Sequence, residues 1–349
     1  MPSLAHSESG VRPSQDEPGA ARDGPGHGGG WQRELAQAIR DPVELCAALG
    51  LDPAIGRSAA EAGFSTLVPR PFLRRMRHGD PADPLLRQVL PSPLEQAADG
   101  LPADAVGDLA SLRAPGLLQK YHGRALLMVS PRCAVHCRYC FRRHYPYQTT
   151  PASEPSWSAA LDAIRADPTV SEVILSGGDP LTVGDGPLQR LFDRLETAPR
   201  VKRIRLHTRL PIVIPSRVTE GLAATIRGSS KRVVVVVHVN HGREIDCPTS
   251  DALHRLRGAG ALLLNQAVLL RGVNDSVDTL ADLSTTLVDA GVTPYYLHRL
   301  DRVAGVGHFG VAEGEGEALV QALRLRLPGY AVPRFVREDP GAPAKTVLA

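Results

Sequence analysis

Three cysteines near the middle of the chain have types and spacing that suit metal chemistry. Cys133, Cys137 and Cys140 follow the pattern C-x3-C-x2-C on one short stretch. Three thiolates on one loop can bind three irons of a cubane [4Fe–4S] cluster and leave the fourth iron without a protein ligand. S-adenosylmethionine that chelates this open iron can be cleaved by one electron to a 5′-deoxyadenosyl radical. The spacing therefore predicts an iron–sulfur cluster that initiates radical chemistry.

Two other interpretations of the three cysteines stay open at this stage. A structural zinc site needs four ligands, and His136 or His144 would have to complete it at an unfamiliar spacing. Unligated thiols are the second alternative. The remaining cysteines, Cys46 and Cys247, stand alone and are expected to be inert. An odd number of cysteines with a local cluster is typical of a reducing compartment, so we expect a cytoplasmic protein.

Further polar or glycine residues stand where β-rich runs end. Glycines at such a place let the backbone approach a neighbour closely, although a simple tight turn would explain them as well. In parallel α/β folds the reactive groups gather at the carboxyl ends of the strands. We therefore expect these residues to share one site: Ser176, Gly177, Gly178, Asp179, His207, Arg209, His238, Asn240 and the stretch 271–275.

The elements that must position these residues are six β-rich runs that alternate with amphipathic helical stretches. Alternation of this kind predicts repeated βα units and a parallel sheet. The predicted fold is α/β, a partial (β/α)6 barrel over residues 113–330. A helical region over 31–112 precedes it, a disordered tail is expected over 1–30, and 331–349 form a C-terminal segment. The runs are 124–130, 172–176, 203–208, 232–240, 261–270 and 293–300, and the helical stretches lie near 156–166, 187–198, 217–227, 250–258, 276–290 and 313–327.

Bulk composition excludes some classes of partner. The chain has 349 residues, of which 43% are hydrophobic, and 40 Lys and Arg stand against 37 Asp and Glu. A net charge of +3 is too small to predict a nucleic-acid partner or a membrane surface without a local basic patch. The sequence has no run near the roughly 20 apolar residues of a membrane span. We therefore expect an ordinary globular protein with neither partner.

Seven segments of the sequence carry motifs that occur together and in one order: 120–127, 133–147, 175–181, 205–212, 238–241, 264–275 and 295–309. Through them, from about residue 31 to 349, the sequence resembles the lysine 2,3-aminomutase family of radical S-adenosylmethionine enzymes. Segments 140–147 and 295–298 are most similar to the branch that makes (R)-β-lysine for attachment to elongation factor P. The resemblance implies the partial barrel, the [4Fe–4S] cluster and S-adenosylmethionine.

The resemblance also implies a second cofactor, pyridoxal 5′-phosphate. Taken alone, Lys345 would be a solvated lysine, but it stands where the family has its cofactor-binding lysine. Lys120 and Arg124 match positions that contact the cofactor phosphate. The residues matched to the S-adenosylmethionine and pyridoxal pockets are Ser176, Gly177, Gly178, Asp179, His207, Arg209, Asn240 and Gln266.

The expected substrate, again implied by the resemblance, is L-lysine. Arg142 matches the arginine that binds the substrate carboxylate, and Asp275 and Asp301 match the acids that receive the side-chain ammonium. The implied reaction moves the amino group from C2 to C3, with an electron donor such as flavodoxin or ferredoxin and a functional link to an elongation factor P lysyl-transferase. Three alternatives stay open: an aminomutase that supplies free β-lysine, a non-catalytic zinc-binding relative, and a radical enzyme without pyridoxal phosphate.

Overall fold

The computed structural model describes residues 29–59, 63–96, 100–149 and 154–349. Residues 1–28 of the predicted tail lie outside these ranges, whereas Gly29 and Gly30 already belong to the first helix. The α-helices of the described residues are α1 (Gly29–Ala36), α2 (Pro42–Ala48), α3 (Pro53–Ala59), α4 (Arg70–Leu73), α5 (Pro84–Arg87), α6 (Ser158–Ala166), α7 (Asp185–Glu196), α8 (Leu210–Val213), α9 (Glu220–Gly228), α10 (Cys247–Gly258), α11 (Val277–Asp289) and α12 (Glu313–Arg324).

The described strands form one sheet whose spatial order follows the chain from β1 to β10. Strands β3 to β9 are parallel, and the pairs β1–β2, β2–β3 and β9–β10 are antiparallel. The strands are β1 (Leu112–Ala114), β2 (Leu117–Leu118), β3 (Arg124–Ser130), β4 (Glu172–Gly177), β5 (Arg203–Thr208), β6 (Arg232–Val237), β7 (Leu262–Val268), β8 (Thr293–His298), β9 (Arg334–Arg337) and β10 (Thr346–Val347).

The α/β fold and the parallel sheet predicted from the sequence are confirmed. All six β-rich runs are strands, and the helical stretches between them become α6, α7, α9, α10, α11 and α12. The structure adds a seventh parallel strand, β9, in the C-terminal segment. The sequence did not indicate it because four residues are too few to show a period of two.

The sheet is covered by helices on one side and faces a cavity on the other. In β5, Ile204 and Leu206 are fully buried in the core, whereas Arg205 and His207 between them line the cavity. This alternation follows from the two-residue period of a strand. The helices bury apolar stripes in return: in α7 the side chains Leu188, Leu191, Phe192 and Leu195 are buried, and each contributes about 1.5–3 kcal/mol.

The two ends of the sheet approach each other, which makes it a partial barrel. Tyr121 lies in the loop between β2 and β3, and Glu338 directly follows β9. The Tyr121 hydroxyl donates a hydrogen bond of 2.6 Å to the Glu338 carboxylate. Strands that stand far apart in the sheet order are thus bridged by side chains, so the sheet curves around the space on its inner face. Among the described residues, no helix is long and apolar enough to cross a membrane.

Candidate active site

A cavity of about 410 Å³ lies inside the curved sheet and extends to the carboxyl ends of the strands. This size lies within the range of small-molecule and cofactor sites. Most residues that the sequence singled out line it. They are Lys120, Arg124, Cys133, Cys137, Cys140, Arg142, Ser176, Gly177, Gly178, Asp179, His207, Arg209, Gln266, Asp301 and Lys345.

The three cysteines of the loop after β3 are free thiols on the wall of this cavity. Burial raises the pKa of Cys133 well above its usual value, and Cys140 and Cys137 raise it further. Burial likewise raises the pKa of Cys140 to about 11, and Cys137 adds to the rise. Thiolates at Cys133 and Cys140 therefore need a cationic centre to stabilise them, which an iron–sulfur cluster would supply. In the described parts of the chain, no group of three or more His, Cys, Asp or Glu side chains is placed to hold a metal ion.

Two arginines hold the cysteine loop against the N-terminal helical region. Arg138 forms a bidentate ion pair with Glu95, at 2.8 and 2.5 Å, and donates to the carbonyls of Phe64 and Ser65. Arg143 donates to the same Glu95 at 2.6 Å. The side chains of Arg138 and Glu95 have no exposed surface. The loop is therefore fixed on both sides of Cys140 by one buried carboxylate.

The Gly177–Gly178 turn is packed against this loop. A Cβ atom on Gly178 would lie 2.3 Å from the carbonyl oxygen of Arg132 and 2.9 Å from the sulfur of Cys133. Gly177 has a φ of +128°, which side-chain-bearing residues rarely adopt. The glycines thus allow β4 and the cysteine loop to pack in close contact. This packing alone explains why residues without side chains stand here.

Gly178→Ala is expected to displace the cysteine loop. The added methyl group would overlap backbone atoms, which cannot move away as a flexible side chain could. The free energy of unfolding should therefore fall by about 1–3 kcal/mol. Iron bound after anaerobic reconstitution should fall in parallel. Gly314→Ala in α12 is the matched control, because its Cβ meets nothing within 4 Å. Equal iron content in the two variants would show that the close packing at Gly178 is not required.

Asp179 and Asn240 are bonded inside the protein. The Asp179 carboxylate accepts hydrogen bonds from the Thr208 hydroxyl and from the backbone N–H of Leu181, Arg209 and Leu210. Asn240 is fully buried and does not belong to the cavity lining. Its amide nitrogen donates to the Tyr139 hydroxyl at 2.7 Å. Both residues hold strand ends in place, and neither has free polar atoms pointing into the cavity.

Asp108, which also lines the cavity, joins two of the predicted cationic residues. Its Oδ2 accepts a hydrogen bond from Arg142 Nε at 2.6 Å, and its Oδ1 forms an ion pair with Lys120 Nζ at 2.7 Å. Burial raises the pKa of Asp108, but Arg142 and Lys120 outweigh burial and hold it below its usual value. Arg142 also donates to the Ser176 hydroxyl at 3.2 Å. Asp108 therefore fixes the orientation of the Arg142 guanidinium. Sequence analysis missed this role because nothing distinguishes Asp108 from other acids in loops.

Lys345 also faces the cavity, and its ammonium forms an ion pair with Glu338. Burial raises the pKa of Glu338, but Lys345 and its other hydrogen-bond donors lower it overall. The same carboxylate accepts from Tyr121, and Lys120 lies 3.7 Å from it. Glu338 is thus shared among three residues of the site, and sequence analysis missed it.

The two acids that the sequence matched to the substrate ammonium occupy different places. Asp301 lines the cavity, and burial raises its pKa to about 7, although Lys345 partly opposes the rise. Asp275 is not part of the lining and pairs with Arg271 at 3.3 Å. The structure therefore brings Asp301 and Glu338 to one cavity and leaves Asp275 outside it.

Three histidines and two tyrosines complete the walls: His207, His238, His298, Tyr295 and Tyr296. The sequence had assigned His207 to a cofactor pocket and had placed His238 at the site without a role. Burial lowers the pKa of His207 and His298 well below the usual value, and that of His238 to about 3. These imidazoles are therefore neutral near pH 7. Tyr295 and Tyr296 stand ring to ring with their hydroxyls 2.9 Å apart. Neutral, partly aromatic walls suit the planar ring of a nucleotide or a pyridoxal group.

This fold and site define a class of enzyme: a partial βα barrel with a three-cysteine loop and a cationic pocket at its carboxyl edge. Comparison with known proteins gives the family. No protein-family model matches the chain. L-lysine 2,3-aminomutase of Escherichia coli is 47% identical over 91% of this chain and 94% of the relative. The Haemophilus influenzae protein of the same name is 42% identical, over 91% and 95%. The chain belongs to the L-lysine 2,3-aminomutase family, which confirms the resemblance found in the motifs.

Two more distant likenesses are known. The L-lysine 2,3-aminomutase of Clostridium subterminale is 36% identical over 79% of this chain and 66% of that protein. The structure of a radical SAM methyltransferase from Sphaerobacter thermophilus aligns with 63% of this chain and 68% of its own, at a TM-score of 0.41 and 20% identity. That structural likeness is too distant to bear on the site.

Proposed function

We propose that the protein converts L-lysine to β-lysine by moving the amino group from C2 to C3. The observation that carries this proposal is that three thiols, a lysine and further cations all face one cavity. The names of the relatives support the same reaction. When bound, the cluster with S-adenosylmethionine would supply a 5′-deoxyadenosyl radical, and pyridoxal phosphate would supply a ring that stabilises an unpaired electron.

The residues present fit these cofactors. Cys133, Cys137 and Cys140 would hold the cluster, whose irons would stabilise their thiolates. Lys345 would hold pyridoxal phosphate through its amine, and Lys120 and Arg124 on the neighbouring wall would bind the phosphate as fixed cations. The curved sheet encloses all of these groups, so the protein contributes positioning and exclusion of water.

Arg142 is proposed to bind the carboxylate of the substrate. Its guanidinium is held by Asp108 through Nε and contacts Ser176 through Nη1. Because the guanidinium is held in this way, its remaining N–H groups point in a fixed direction. A carboxylate is the planar acceptor that matches them. Because Asp108 is neutralised by Arg142 and Lys120, the pocket keeps a cationic side for an amino-acid carboxylate.

The substrate ammonium requires a carboxylate, and elimination leaves two. Four acids line the cavity: Asp108, Asp179, Asp301 and Glu338. Asp179 is occupied by four internal donors, and Asp108 by two cations. We therefore propose that Asp301, and not Asp275, receives the ammonium of lysine. Glu338 is paired with Lys345 and accepts a hydrogen bond from Tyr121, so it would join Asp301 only when the Lys345 amine is bonded to pyridoxal phosphate.

Asp301 gives this proposal a pH dependence. Its carboxyl group must be ionised to attract an ammonium, so kcat/KM for L-lysine should rise as the pH passes through about 7. Asp301→Asn should remove this rise and lower kcat/KM by about 30-fold or more, because a buried charge loses its partner. Asp275→Asn is the matched control and should behave like the parent protein. Loss of activity in the Asp275 variant alone would reverse the assignment.

The Asp301 carboxyl group also makes the stability of the protein depend on pH. The folded protein binds the Asp301 proton more tightly than the unfolded chain does, since the pKa rises from 3.8 to about 7. The contribution of Asp301 to the free energy of unfolding therefore falls as the pH rises from about 4 to about 7. Urea titrations at several pH values should show this fall in the parent protein and a smaller fall in Asp301→Asn.

The finer proposal is that the product is (R)-β-lysine, made in the cytoplasm for attachment to elongation factor P, with a flavodoxin or ferredoxin as electron donor. Segments 140–147 and 295–298, which resemble that branch, support it. The alternative within the same chemistry is release of free β-lysine to a biosynthetic pathway. Chiral analysis of the product, and its transfer by a lysyl-transferase to elongation factor P, would separate the two.

The reaction itself is tested under anaerobic conditions. The protein is reconstituted with iron and sulfide and then supplied with pyridoxal phosphate, S-adenosylmethionine, dithionite and L-lysine. β-Lysine is measured by mass spectrometry after derivatisation. We expect product in the parent protein and none in Cys137→Ala. Cleavage of S-adenosylmethionine without β-lysine would contradict the substrate, and zinc in place of iron in the isolated protein would contradict the cluster.

A further inference from the structure

A buried arginine contacts the sulfur of one cysteine in the loop. Arg209 lies directly after β5, and its Nη1 donates a hydrogen bond of 2.8 Å to the sulfur of Cys137. The side chain of Arg209 is only 6% exposed. A guanidinium is not deprotonated in proteins, so Arg209 carries a full positive charge. This buried charge therefore stands directly beside the sulfur of Cys137.

Two residues from outside the cavity hold this arginine in place. Nη2 of Arg209 donates to Gln88 Oε1 at 2.6 Å and to Glu244 Oε2 at 3.0 Å. The guanidinium also lies over the rings of Phe72 and Tyr139, at 5.3 and 5.8 Å from their centres. Gln88 and Glu244 bond to each other at 3.0 Å, and both are fully buried. The guanidinium thus has one orientation, in which Nη1 points at the cysteine sulfur.

Both carboxylate oxygens of Glu244 accept hydrogen bonds from the protein. Its Oε1 accepts from the backbone N–H of Asn240 and His241, and its Oε2 accepts from Arg209. Arg209 is the cation paired with it. The guanidinium of Arg209 thus bonds to the Cys137 sulfur through one nitrogen and to the Glu244 carboxylate through the other. The positive charge is therefore nearer to the sulfur than the negative charge is.

We propose that Arg209 sets the reduction potential of the iron–sulfur cluster, with Gln88 and Glu244 as positioning residues. The inference rests on the proposed function only in that Cys137 is a cluster ligand. Hydrogen bonds to ligand sulfurs and local charge are among the main determinants of cluster potentials. Reduction adds one electron to the cluster, so an adjacent positive charge favours the reduced form, and it does so strongly where few waters screen it.

This arrangement makes two variants shift the potential in opposite directions. Arg209→Gln removes the positive charge next to the sulfur, so the midpoint potential should become more negative. Glu244→Gln removes the negative charge that partly cancels the arginine, so the midpoint potential should become less negative. A purely structural role for the pair would not produce opposite shifts. The measurement is a redox titration of the reconstituted protein with dithionite, followed by the electron paramagnetic resonance signal of the reduced cluster.

Arg217→Gln is the matched control. Arg217 is as deeply buried as Arg209 and pairs with Asp185 at 2.8 Å, but its guanidinium donates to Asp185 and to the carbonyls of Leu181 and Val183, away from the cysteine sulfurs. Its loss should lower stability and leave the midpoint potential unchanged. Arg209→Lys keeps the charge with fewer donors, so its potential should lie between those of the parent protein and Arg209→Gln.

The outcomes separate this inference from the proposed function. Opposite shifts in Arg209→Gln and Glu244→Gln would support it. Shifts in the same direction, or a shift in Arg217→Gln of the same size, would overturn it. If Arg209→Gln binds no iron, the comparison of Arg209→Lys with Glu244→Gln decides by the same rule. A parent protein that forms no iron–sulfur cluster would overturn the proposed function, whereas a normal cluster with an unchanged potential in both variants would overturn only this inference.

Discussion

Lys345→Arg is expected to abolish β-lysine formation, by more than about 10³-fold, while the protein still folds and binds iron. An arginine keeps the positive charge and can pair with Glu338 as Lys345 does. It cannot form an imine with the aldehyde of pyridoxal phosphate, because a guanidinium is not a nucleophilic amine at neutral pH. The variant therefore separates the covalent role of the lysine from its charge. Product is measured as above, and bound iron is measured in the same samples.

A direct readout of the covalent bond is available because the chain has only four lysines, Lys120, Lys202, Lys231 and Lys345. Borohydride reduction of the protein with pyridoxal phosphate should fix the cofactor on Lys345, as identified by peptide mass spectrometry. Lys202→Arg is the matched control, since Lys202 is exposed and does not line the cavity. Labelling of Lys120 in place of Lys345, or full activity in Lys345→Arg, would refute the assignment.

Glu95→Ala is expected to have the largest effect on stability. Removal of this carboxylate leaves Arg138 and Arg143 without their buried partner, and an uncompensated buried charge costs about 3–5 kcal/mol. Because both arginines belong to the cysteine loop, iron bound after reconstitution should fall as well. Urea unfolding gives the first quantity and iron analysis the second.

The control for this prediction is another ion pair of the N-terminal region. Glu44 pairs with Arg70 at 3.0 Å, but both side chains are about half exposed. Glu44→Ala should therefore cost no more than about 1 kcal/mol and leave iron binding unchanged. Equal losses of stability in the two variants would mean that Glu95 does not anchor the loop.

The fold followed from the sequence because its signals are local. Val233 to Val237 are all apolar and buried, and six β-rich runs alternate with amphipathic helices. The cysteine loop was equally visible, since its chemistry depends on the spacing of neighbours. Strand β9 was missed because its four residues carry no periodic signal.

The walls of the site were harder to predict because their contacts join distant parts of the chain. Tyr121 and Glu338 are bonded across 217 positions, and no local pattern indicates such a pair. Sequence reasoning could place Asp179 and Asn240 at strand ends, but it could not tell that their side chains turn inward to bond the protein. The sequence could not distinguish Asp275 from Glu338 either, because both are acids in loops. In the structure Glu338 lines the cavity and Asp275 does not.

The N-terminal region cannot be separated from the barrel without loss of contacts at the site. Glu95 bonds to the cysteine loop, and Gln88 bonds to Arg209. A boundary near residue 112, which composition suggests, would cut through ion pairs and hydrogen bonds that hold the loop. A chimera that joins the N-terminal region of one relative to the barrel of another would succeed only where both sides keep matching partners. The two parts therefore have to be exchanged together in protein engineering, although they look like separate modules along the chain.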